Sequence, residues 1–90
     1  MTPIEEKALR IVQKKFPDRY VEYGVRVGDA GVFSTIPKDN SIGIVYDGMY
    51  AVDFETMAVV PTLPSLYIEH FTAAMEAGPF YENYDNVNGD

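Results

Sequence analysis

The sequence predicts an α+β domain with an N-terminal helix, an antiparallel β-meander of four to five strands, and a C-terminal helix packed on the sheet. Three observations carry this. Apolar residues recur at helical spacing up to Phe16, alternate from Tyr20 to Val60, and return to helical spacing after Ser65. Each change of period falls at proline, Pro17 for the first and Pro61 with Pro64 for the second. Ninety residues with no internal repeat and no linker make one unit spanning residues 1–90.

The first helix is expected over Pro3–Lys15. Thr2 suits the N-cap, Pro3 the first helical position, and Glu5 completes a Thr-x-x-Glu capping box. Ile4, Ala8, Leu9, Ile11, Val12 and Phe16 form one apolar stripe. Lys7, Arg10 and Lys14 share another face, where Glu6 can pair with Arg10 at i, i+4. Pro17 stops the helix, because the residue before a proline avoids the α region.

Strands follow. In Tyr20–Val27 the residues Val21, Tyr23, Val25 and Val27 fall on one face of a half-buried strand. Gly28-Asp29-Ala30-Gly31 is a turn, and Val32–Ile36 returns. After a second turn at Pro37–Asn40, Ser41–Tyr46 is expected as a third strand. Asp47-Gly48 is expected as a two-residue type I′ loop pairing Ile42–Tyr46 with Tyr50–Phe54. Met57–Val60 would be a fifth strand behind a Glu55-Thr56 loop that lacks any residue suited to positive φ. Pro61 and Pro64 break the sheet. A second helix, Ser65–Ala77, then presents Tyr67, Ile68, Phe71, Ala74 and Met75 to the core and stops at Gly78-Pro79. Residues 80–90 read as a mobile acidic and aromatic tail or as a short third helix from Pro79.

Charge is divided along the chain. All seven Lys and Arg lie at or before Lys38, with five acids; the 52 residues from Asp39 on hold nine carboxylates, one His and no base. A stretch of that length ordinarily carries about six bases. The formal net charge of −7 disfavours nucleic acid and anionic membrane as direct ligands and favours a partner with a basic surface. The absence of cysteine excludes disulfides and thiolate metal sites, and it fits a cytoplasmic location. No apolar run is long enough to cross a membrane as a helix.

No catalytic motif is present, and neither cofactor nor metal is expected. His70 stands alone, beside the apolar stripe of the second helix, with no orienting partner evident. Asp53 and Glu55 would lie about 6.7 Å apart if one strand ran through both, too small a basis for a glycosidase cleft in a chain of this size. Asp85–Asp90 places Val87 at the third position of a calcium loop and ends at the sixth. Gly28 and Gly31 sit between strands, not before a helix, and read as turn residues.

The expectation is therefore a small acidic, non-enzymatic protein-binding inhibitor that occludes a basic surface of a partner, such as a nucleic-acid channel. In composition alone it resembles inhibitory proteins of the phage anti-defence, host-takeover and immunity type. Tyr81, Glu82, Tyr84 and Asp85 are the first candidate contacts, because acids steer association while tyrosines anchor it, with Tyr81 pointing outward. Asp47, Asp53 and Glu55 are the second set. The alternatives are a homodimeric structural or regulatory subunit whose acidity serves solubility and, with less support, a small ligand-binding or enzymatic domain.

Overall fold

A computed structural model describes residues 1–38, 48–62 and 68–83, with the side chains of 68–71 outside that description. It shows an α+β fold in which helix α1 (Pro3–Lys15) precedes a five-stranded antiparallel sheet. The strands are β1 (Arg19–Val27), β2 (Ala30–Pro37), β3 (Met49–Asp53), β4 (Val59–Pro61) and β5 (Tyr81–Glu82), in the order β4-β3-β2-β1-β5. Helix α2 (Ile68–Ala77) lies between β4 and β5 in the chain.

Helix α1 has the bounds its punctuation predicts. Thr2 Oγ1 accepts from the Glu5 amide at 3.3 Å, and Glu5 Oε1 accepts from the Thr2 amide at 2.7 Å. Two amides that the helix cannot satisfy are thereby bonded. Ala8, Leu9 and Val12 are buried, whereas Ile4 is exposed at the edge of the stripe. Glu5 is buried too, because its second oxygen faces Arg26 of β1 at 3.8 Å while the Arg26 guanidinium lies 5.0 Å from the centre of the Phe54 ring. The capping box thus also ties the helix to the sheet.

The core has two parts on opposite faces of the sheet. Ala8, Leu9, Val12, Val21, Phe33, Val52 and Phe54 form the first, under α1. Val25, Val27, Val32, Met49 and Ala51 form the second, against which Ala74 of α2 packs. One irregularity in β1 divides them. The register slips between Val21 and Tyr23, so Glu22 is an extra residue in the strand. Simple alternation places Val21 with Tyr23, Val25 and Val27. The bulge instead turns Val21 to the α1 face and leaves the other three opposite.

On the α1 face, Tyr81, Gly24, Phe33, Tyr50 and Pro61 lie side by side across all five strands. Phe33 is fully buried and meets Phe80 edge-to-face with ring centres 5.6 Å apart. Gly24 makes room for it, since a Cβ there would lie 2.8 Å from the Phe33 ring. Phe16, just past α1, stacks on Tyr50 at 4.1 Å.

Three expectations are corrected. First, Tyr50–Val52 pair with Phe33–Gly31 of β2 on one side and with Pro61–Val59 of β4 on the other. Both edges of β3 are thus occupied by strands other than the expected hairpin partner; the expected strand Ser41–Tyr46 and Asp47 lie outside the described residues. Second, Gly48 matters for closeness. Its carbonyl accepts from the Thr35 amide and from Thr35 Oγ1, both at 2.7 Å, and a Cβ would lie 2.4 Å from Thr35 O. Third, the loop before β4 does use positive φ, at Met57 (φ 60°), and β4 starts two residues later than expected. The Met57 amide donates to Asp53 O at 2.7 Å, and Met57 packs against the first core cluster, which holds it there.

The β1–β2 turn places Gly28 at φ 59°, so β2 starts at Ala30, two residues earlier than expected. Met75 is exposed and does not join the core, in contrast to the expected α2 stripe. The corresponding expectations for Tyr67, Ile68 and Phe71 lie outside the described residues and side chains.

Candidate functional site

The carboxylates of the second half fall into separated places. Asp53 ends β3 and is exposed, with Oδ1 accepting from the amides of Glu55 at 2.7 Å and Thr56 at 3.3 Å. It therefore builds the β3–β4 turn in addition to presenting charge. The strand does not continue through Glu55, which projects from this turn, exposed. Glu82 is exposed on β5, at the opposite edge of the sheet. Three strand spacings, about 14 Å, separate β3 from β5. Glu76 is exposed on α2. Asp47, Tyr84 and Asp85 lie outside the described residues.

Tyr81 does not point outward as the sequence reading expects. It is half-buried, pairs with Gly24 across β5 and β1, and packs against the first core cluster beside Phe80. Residues 80–83 are thus tied to the sheet, with Tyr81–Glu82 as its strand. The Phe80 amide donates to Gly24 O at 2.9 Å and the Asn83 amide to Glu22 O at 3.0 Å. The extra residue at Glu22 supplies the last of these carbonyls, a signal that hydrophobic alternation alone does not contain.

Four of the seven bases are engaged elsewhere. Arg10 pairs with Glu6 at 2.6 Å, and Arg26 approaches Glu5. Arg19 donates from Nε to Thr35 Oγ1 at 2.8 Å, and the Lys38 ammonium lies 5.2 Å from the centre of the Tyr20 ring. Among the described residues, no carboxylate of the second half takes part in an ion pair. Lys7, Lys14 and Lys15 are exposed on α1. No three His, Cys, Asp or Glu among the described residues are grouped so as to hold a metal ion. No described helix is long and apolar enough to cross a membrane.

Two concavities border these charges. One, about 410 Å³, runs along the outer face of α1 past Pro3, Lys7, Arg10, Ile11 and Lys14. The other, about 240 Å³, lies between the end of α1, the start of β1 and β5. Compared with known protein families, curated proteins and solved structures, the chain matches none.

Proposed function

We propose that this protein is a small non-enzymatic binding domain, an inhibitor in kind, that covers a basic surface of a partner protein with carboxylates of its second half. The observation that supports this most is the division of ion pairs. The described pairs use Glu5 and Glu6, both from the first half, while Asp53, Glu55, Glu76 and Glu82 face solvent without a base. Such charges raise the rate of encounter with a basic surface and contribute modestly to affinity, often under about 1 kcal/mol each. In this reading α2 packs along the second face of the sheet and carries Glu76 outward.

The β5 edge is the primary contact. It presents Glu82, and Tyr84 and Asp85 follow directly in sequence. The Asp53–Glu55 turn, with Asp47 preceding β3, is the second contact. The partner is a basic protein of the nucleic-acid-binding sort, whose channel accepts carboxylates in place of phosphates. Edge-to-edge homodimerisation has less support, because β4 ends at Pro61 and β5 is only two residues long.

The test is capture from a lysate with immobilised protein at about 0.05 M and about 0.5 M salt, the range over which exposed charges become screened. The reading expects a basic protein that is retained at low salt, released at high salt, and lost with Glu82→Lys. Retention of the same protein by the variant at both salt levels would contradict it.

A further inference from the structure

The geometry points to a second binding site, for a phosphate ion or small phosphate monoester, in the polar groove between α1, the start of β1 and β5. The groove holds about 240 Å³ and is lined by Gln13 of α1, Arg19 and Tyr20 of β1, Lys38 after β2, and Tyr81 and Asn83 at β5. Only Val21 adds an apolar side chain, and no carboxylate is among the described lining residues. In a chain with twice as many acids as bases, this recess gathers two of the seven bases and excludes every acid described.

The donors come from four different elements, so the fold, not one stretch of sequence, brings them together. Arg19 is fixed in place. Its Nε bonds Thr35 Oγ1, which in turn donates to Gly48 O, so the guanidinium plane is set by a buried chain of hydrogen bonds. Its Nη2 is enclosed beside Gly48 and has no acceptor among the described residues, so this nitrogen is not one of the groove's donors. A planar, fixed guanidinium suits an oxyanion with several acceptor oxygens. Lys38 is held near the same place by the Tyr20 ring. Two amide side chains and two phenols supply further neutral donors. A lining that carries this many donor side chains and no carboxylate suits the three or four oxygens of a phosphate better than the two of a carboxylate. The volume is below the usual range for drug-sized ligands, which limits the organic part to a small group.

The site adjoins the β5 contact of the proposed function through Tyr81 and Asn83 but uses none of its carboxylates. Its test is titration of the full chain with inorganic phosphate and with phenyl phosphate at constant ionic strength, followed residue by residue by NMR. Amide shifts at Gln13, Arg19, Lys38, Tyr81 and Asn83 should follow one saturable curve. Lys38→Gln should weaken binding about fivefold, the loss expected for one partly exposed charge contact. Lys14→Gln makes the same charge change on the outer face of α1 and should leave binding unchanged. Saturation by phenyl phosphate alone would assign the site to esters, and saturation by both to the phosphate group itself. Linear, unsaturable shifts, or equal loss in the two lysine variants, would overturn the site. Because Arg19 also supports the fold, the two lysine variants carry the comparison.

Discussion

Replacing Gly48 separates two explanations of why a glycine stands there. A turn requiring positive φ would accept Asn nearly as well as Gly. A close backbone approach accepts no side chain. The structure supports the second, since any Cβ would lie 2.4 Å from Thr35 O. Restoring an ordinary contact moves the two backbones apart by about 1 Å, too far for the hydrogen bonds of 2.7 Å that the Gly48 carbonyl accepts from Thr35 N and Oγ1. Losing one buried hydrogen bond costs about 1–3 kcal/mol, so Gly48→Ala should cost about 2–5 kcal/mol in all. For a domain of this size that lowers the thermal midpoint by roughly 8 °C or more. Urea unfolding of the wild type, Gly48→Ala and Gly48→Asn measures it. Both variants should lose stability to a similar extent. If Gly48→Asn unfolds at the wild-type urea midpoint, the close-approach account is refuted and the turn account restored.

The other predictions concern the core, the loop and the chain end. Phe33→Ala should cost about 3–5 kcal/mol, as for other buried rings. Gly24→Ala should destabilise the wild type and cost less in that background, because its two nearest contacts are with the Phe33 ring while the Phe80 ring at 3.1 Å remains, and a double-mutant cycle in urea reads the coupling. Met57→Val should lose about 1–2 kcal/mol, since a β-branched residue resists positive φ, while Met57→Gly should lose less; equal losses would place the cost in packing alone. Phe80 and Tyr81 both pack against the first core cluster. Truncation after Pro79 removes both and should cost about 2–4 kcal/mol.

Local chemistry made much of this fold legible. Thr2, Pro3 and Glu5 specify the start of α1 by themselves, and Pro17 its end, so its bounds needed no tertiary information. The alternation in β1 identified a strand but misassigned Val21, because a bulge is set by pairing across strands and leaves no mark in hydrophobic period. Asp47-Gly48 carried a strong hairpin signal, yet Gly48 is conditioned by Thr35, thirteen residues earlier, which short-range rules do not consult. Met57 adopts a conformation its residue type resists, held by the Asp53 carbonyl and its own packing. Among candidate contacts, exposure of Asp53, Glu55 and Glu82 follows from the lack of bases after Lys38. The inward packing of Tyr81 does not, because a tyrosine two residues beyond a Gly-Pro stop reads equally as tail or edge strand. The groove at Arg19 was not foreseen for a related reason: its lining residues are spread from Gln13 to Asn83 and meet only in three dimensions.

The most direct test of the central claim is the association rate of the captured partner with wild type, Glu82→Lys and Glu55→Lys, measured from about 0.05 M to about 0.5 M salt. If carboxylates of the second half cover a basic surface, the wild-type rate falls steeply with salt, Glu82→Lys associates more slowly at low salt, and the curves converge at high salt. Glu55→Lys should show the same pattern more weakly. Heparin should compete for the same surface of the partner. Rates that are independent of salt and identical in all three proteins would contradict the claim.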